Sequence, residues 1–148
     1  MALQGVEEIR INDRIIAIII RSEYGKDGVA FFTPGDFSQQ LGYMKHQSGD
    51  RIQEHIHQLQ VREVKYTQET LFIRRGRVRV DFYNNDKIFF TSRELKTGDA
   101  ILLASGGHGF EFLEETEMIE VKQGPYLSDE DKVRFEGIKG TANGDQQA

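Results

Sequence analysis

Arg77-Val78-Arg79-Val80-Asp81-Phe82-Tyr83 alternates charged and apolar residues with a period of two. Successive side chains of a strand point to opposite faces, so this stretch reads as a strand with one face buried. Asn84-Asn85-Asp86-Lys87 then supplies a hairpin turn and Ile88-Phe89-Phe90-Thr91 the return strand. On the other side, Thr70-Leu71-Phe72-Ile73 is a short apolar run that stops at Gly76, a buried strand.

Toward the N-terminus, Ile9 to Tyr24 is dominated by isoleucine between charges, and β-branched residues pack well on a pleated surface, so one or two strands are expected there. Further short strands are expected at 29–32, 37–46, 51–58, 100–103, 110–113 and 117–122, punctuated by Gly, Pro, Asn and Asp. Ser128-Asp129-Glu130-Asp131 has the form of a helix start, with Ser128 as N-cap and acids in the first turn. From Gly137 on, almost nothing is apolar, which predicts a disordered tail over 137–148. The expectation is a single all-β domain over 1–136, a sandwich or barrel with a short C-terminal helix.

At 148 residues the chain suits one domain, and a chain of this size buries about 70% of its unfolded surface. A net charge of −5 without a basic block argues against nucleic acid and anionic membrane as partners. With no cysteine, disulfides, thiolate zinc and iron–sulfur clusters are excluded, so a metal would be held by nitrogen and oxygen. The longest apolar run, Ile15 to Ile20, is far short of the roughly 20 residues that span a bilayer. The first residues lack the basic and apolar regions of a signal peptide, and a cytoplasmic location is expected.

His55 and His57 are one residue apart, so on a strand both face the same way and are close enough to share one ion. Gly49-Asp50 before this pair is echoed by Gly98-Asp99 before His108, 49 positions later. Two similar β units facing one another would bring the histidines together. His46 reads as a bystander on a strand face.

These residues resemble the motifs of the cupin superfamily, small jelly-roll β-barrels. Gly49, His55, His57, Glu69 and Gly76 follow the first motif, with eleven residues between His57 and Glu69 in place of three or four. Gly98, Ala104, Gly106 and His108 follow the second, without its Pro, with the His one residue early and with Phe112 in place of Asn. The resemblance covers roughly residues 40–122 and implies one divalent transition metal, Fe, Mn, Ni or Zn, bound by His55, His57, Glu69 and His108. Glu63 is the rival carboxylate, and the spacing to Gly76 selects Glu69.

The resemblance further implies a protein acting on a small anionic or sugar-like metabolite, as an isomerase, epimerase or oxygenase. Its alternative is a cupin that binds a sugar without turning it over. Tyr66 and Lys122 are the candidate acid/base groups, and Arg62, Gln68, Arg75 and Tyr126 the candidate substrate contacts. A metal-free variant would use His57 or His108 as base and a tyrosine as acid. An exposed isoleucine face near the N-terminus would suit a homodimer, and a fully internal strand is the other reading of the same residues.

Overall fold

The computed structural model describes residues 3–138. They form ten strands: β1 (Val6–Ile11), β2 (Arg14–Ile20), β3 (Gly28–Phe31), β4 (Gly42–Lys45), β5 (Glu69–Arg75), β6 (Arg77–Tyr83), β7 (Phe89–Lys96), β8 (Ala100–Leu103), β9 (Gly107–Phe112) and β10 (Glu117–Lys122). The all-β expectation holds. No helix occurs among the described residues, and so none long and apolar enough to cross a membrane.

The strands make a five-stranded sheet in the order β1-β2-β8-β5-β10, a three-stranded sheet β7-β6-β9 and a two-stranded sheet β3-β4. All pairings are antiparallel. Among the described residues none of the three sheets closes on itself, and β6 is the middle strand of the small one.

The period-two stretch behaves as its pattern requires. Val78, Val80 and Phe82 are buried and pack across to Ile19, Leu71, Ile73, Ile101 and Leu103 of the large sheet, forming the main core. The other face of the large sheet is covered by the chain between β2 and β4, where Tyr24, Phe32, Phe37 and Leu41 pack on Ile15, Ile18 and Ile20. The isoleucine strand is therefore internal on both faces, and the exposed isoleucine face that would have suited a homodimer is absent.

β2 serves two cores because its side chains alternate between two covered faces, and its register slips once. Ile9 pairs with Ala17 and Arg10 with Ile15, which leaves Ile16 as an extra residue opposite that step. Such a bulge breaks the strict alternation of side chains. Ile16 and Ala17, adjacent in sequence, consequently both belong to the main core. The Ile16 carbonyl, bulged out, accepts the Ala104 N–H at 2.9 Å and ties β2 to the end of β8.

Two sequence expectations are corrected. The strand expected over 51–58 does not form: residues 50–65 have no regular structure and are exposed. A strand is stable only with a neighbour to take its backbone hydrogen bonds, and within one chain this stretch has none. The C-terminal helix is also absent. Ser128 sits at φ +58°, not the extended conformation of an N-cap, and two separate turns follow, Glu130 N–H to Leu127 C=O and Lys132 N–H to Asp129 C=O. Asp129 is taken up by Arg134 at 3.0 Å and Asp131 by the Thr67 hydroxyl at 3.0 Å, so the acids expected to favour a helix dipole have other partners. Of the expected tail, residues 139–148 lie outside the described residues, while the N–H of Ile138 donates to the Tyr83 hydroxyl at 2.9 Å.

Candidate functional site

β5 enters the large sheet's ladder with Glu69 at its first position, and β9 of the small sheet carries His108. The two face each other across the sandwich, His108 Nε2 to Glu69 Oε2 at 3.1 Å. Both side chains are largely covered, with 29% and 15% of their surface exposed. The N–H donated by His108 holds the Glu69 carboxyl below its ordinary range; burial opposes this, and the charges of His108, Lys122 and Lys132 add to it. Lys122 stands directly opposite Glu69 in the β10–β5 ladder.

The pair lines a cavity of about 910 Å³ that also meets Thr67, Leu103, Phe110 and Glu120. One side of this cavity is made by residues 131–138, which cross it without regular structure. Phe135 packs edge-on against Tyr83 at 5.1 Å between ring centres, and the Thr67–Asp131 and Tyr83–Ile138 hydrogen bonds hold the segment at its two ends.

The histidine pair is elsewhere. His55 and His57 lie on the exposed stretch after Asp50, their rings 5.1 Å apart and edge to face, with His55 Nδ1 donating to the Gln53 carbonyl at 2.9 Å. Neither lines the cavity. Among the described residues, no group of three or more His, Asp or Glu side chains stands where it could hold a metal ion. The expected ligand set is thus split in a single chain, with Glu69 and His108 together and His55 and His57 apart. Two donors do not make a first-row metal site, so one chain by itself does not fit the expected ion.

Of the two carboxylates, Glu69 meets His108, whereas Glu63 is exposed and pairs only loosely with Lys65 at 3.9 Å. His46 sits near Asp50 at 3.8 Å in its own turn, away from the cavity.

The remaining candidates scatter. Gln68 is buried, but its side-chain oxygen accepts from the Ser38 hydroxyl at 3.1 Å and the Gln39 N–H at 3.0 Å, a tie between loops. Its backbone is held as well, the N–H donating to Gln123 Oε1 at 2.7 Å and the carbonyl accepting from Gln39 Nε2 at 3.0 Å. Arg75 lies exposed between Glu115 at 3.0 Å and Glu117 at 3.5 Å. Tyr66 and Tyr126 are 70% and 79% exposed. Tyr66 borders a different depression of about 590 Å³, beside Arg10 and Arg14, and Arg62 is exposed.

Sequence reasoning missed the far wall of the cavity. Arg79 grips Asp81 through two nitrogens, at 2.8 and 3.0 Å, and Glu111 through a third at 2.7 Å. The three side chains are only 12%, 7% and 21% exposed. Their period-two placement opposite Val78 and Val80 marked them as solvent-facing, and only the aromatic Phe135, isolated in a polar C-terminal stretch, signalled that something covers that face. No protein-family model matches the chain, and no curated protein or solved structure matches it.

Proposed function

We propose that this protein is a metal-binding cupin-type β-sandwich that takes a small anionic or sugar-like metabolite into the cavity at Glu69 and His108. The single observation that carries the reading is the 3.1 Å contact between these residues, which come from strands of different sheets. They are the two residues that separate motifs of the resemblance nominate as metal ligands. The two facing sheets are read as a jelly roll lacking one strand, with residues 51–58 as that strand. His55 and His57 would then supply the other donors to one divalent ion, Fe, Mn, Ni or Zn, in an isomerase, epimerase or oxygenase, or in a binding protein of the same build.

Lys132, which lines the cavity, supplies positive charge that an anionic ligand would meet, and Lys122 adds to the positive field at Glu69. Residues 131–138 cover the ligand's side of the cavity and limit its contact with water.

Elemental analysis of protein loaded with Mn(II), Fe(II), Ni(II) or Zn(II) tests this. Close to one ion per chain in the wild type, and none in Glu69→Gln with His108→Ala, is the expected result. Full metal content in that double variant would overturn it. A second reading is favoured by the convergence of Glu69 and His108 alone: a metal-free acid–base pair, in which Glu69 orients the imidazole that moves the proton. Turnover of a ligand found by thermal-shift screening that survives chelator would select it.

A further inference from the structure

Residues 131–138 cross the cavity without regular structure, yet the surface beneath them is shaped to receive them. Phe135 is half-buried, its ring edge-on to Tyr83 at 5.1 Å between centres. Against that ring stands Gly107, the first residue of β9, where a Cβ would come within 2.9 Å of Phe135 Cζ and 3.2 Å of Tyr83 Cβ. Two residues beyond Phe135, a Cβ at Gly137 would run into the Tyr83 hydroxyl, the group that accepts the Ile138 N–H at 2.9 Å. Neither glycine lies in the left-handed region, so the backbone does not demand either of them. What both provide is room, one on the strand for the Phe135 ring and one on the segment for Tyr83.

The seat is built but lightly fastened. The Thr67–Asp131 bond, the Phe135–Tyr83 contact and the Ile138–Tyr83 bond hold the segment. Each is weak by itself, whereas the core beneath is bound by two sheets. Such a segment releases while the rest of the molecule stays folded.

The segment also carries charge to the cavity. Three cations line it, Arg79, Lys132 and Arg134. Arg79 is held by Asp81 and Glu111, and Arg134 by Asp129 at 3.0 Å. Lys132 forms no ion pair among the described residues, and its charge is felt at Glu69. With the segment lifted away, the charged lining that stays is Glu69, Asp81, Glu111 and Glu120 against Arg79. That surface repels an anion, and the seated segment offsets the repulsion.

We infer that residues 131–138 are a strap that opens and closes over the cavity with Phe135 as its catch, and that closing brings in Lys132 as the cation that selects a monocarboxylate ligand over a neutral one. The choice of an anion rests on the function proposed above, whereas the strap and its catch do not. One lysine balances one negative charge, which fits a carboxylate and not a dianionic phosphate. Because the carboxylate is favoured only when Lys132 is in place, ligand binding draws the strap shut.

The chain has no cysteine, so a single one reports entry to the cavity through its alkylation by iodoacetamide. Leu103→Cys places it in the cavity lining opposite Glu69 in the β5–β8 ladder, and Leu102→Cys faces the other core as a control. Phe110→Cys, also in the lining, serves where Leu103→Cys does not fold. Gly107→Ala, whose methyl presses on the tip of the Phe135 ring, and Phe135→Ala should each speed alkylation in the cavity roughly ten-fold and leave position 102 unchanged. Equal acceleration at both positions, or none in the cavity, overturns the strap.

Lactate and gluconate at millimolar concentration should slow alkylation in the cavity several-fold, lactamide and sorbitol should not, and Lys132→Met should abolish the slowing. Slowing by inorganic phosphate or by the neutral compounds, or none by either carboxylate, overturns selection by Lys132 and leaves the strap standing. Slowing that survives Lys132→Met also overturns its role, and where chelator then removes that slowing the metal-binding reading stands. Alkylation itself needs no metal, so a protein that takes up no ion fails that reading without touching the strap.

Discussion

Asp50 and Asp99 close two turns of the same construction. Each carboxylate accepts the backbone N–H of the residue three before it, Gln47 at 2.7 Å and Lys96 at 2.9 Å. Each backbone N–H returns to that residue's carbonyl, at 3.1 and 3.0 Å, and each follows a glycine with positive φ, Gly49 at +92° and Gly98 at +90°. What differs is burial. Asp50 is exposed, whereas Asp99 is 1% exposed and also accepts from the Ser22 N–H at 2.8 Å and the Arg21 guanidinium at 3.1 Å.

Removing the two carboxylates should therefore have unequal cost. Asp99→Ala orphans buried donors and a part-buried guanidinium, and should cost about 3–5 kcal/mol of folding stability. Asp50→Ala leaves groups that water can reach and should cost about 1 kcal/mol or less. Urea unfolding of both variants reads the difference, and equal costs would contradict it.

Gly76 and Gly49 make a similar contrast in backbone. Gly76 joins β5 to β6 at φ +103°, and a Cβ there would run into the Glu115 carbonyl and Thr116. Gly49 has positive φ but open space around it. Gly49→Ala should cost only the left-handed conformation, about 1–2 kcal/mol. Gly76→Ala should cost clearly more, because the backbone at Glu115 and Thr116 must shift away, and its thermal midpoint should fall further.

Acid should unfold the metal-free protein partly through Glu69. Its carboxyl is held below the ordinary value of 4.5 by the His108 N–H, so the folded state binds its proton less readily than the unfolded one. The stability this contributes is fully present above the unfolded pKa and is lost as pH falls through the lower folded pKa. In chelator-treated protein, Glu69→Gln should flatten the drop in unfolding midpoint below about pH 4.5. A slope identical to wild type would show that the pair is not made in solution.

The closing segment should detach before the protein unfolds. Tyr83→Phe keeps the ring against Phe135 and removes only the hydroxyl that takes the Ile138 N–H. That bond is worth about 0.5–1.5 kcal/mol. Amide exchange at Ile138 should accelerate several-fold while the protection of Val80 and Ile101 stays unchanged. Phe135→Ala should produce the same pattern more strongly.

Sequence patterns carried the body of the fold well because its strands are half-buried and paired. Val78, Val80 and Phe82 point one way by alternation alone, and the turn at 84–87 forms as its Asn-Asn-Asp composition requires, the Asn84 side chain accepting from Asp86 N–H at 2.9 Å and Ile88 N–H at 3.0 Å. The internal echo also proved real at the level of the two Gly-Asp turns. Alternation misled where a stretch has strand-like residues and no neighbour in its own chain, as at 51–58. Local helix signals at Ser128 lost to longer-range contacts, because Thr67 and Tyr83, distant in sequence, capture Asp131 and Ile138. Around the cavity, the motifs singled out Glu69 and His108, which the fold brings into contact, whereas Arg79, Asp81 and Glu111 were hidden by looking like any polar strand face.

Thr67 lies between the exposed stretch 50–66 and the first residue of β5, and its hydroxyl donates to Asp131 at 3.0 Å. One hydroxyl thus fastens the end of that stretch to the near end of the segment that roofs the cavity. Two parts of the chain without regular structure, 64 positions apart, are anchored to each other there, so loss of that single hydroxyl would loosen both at once.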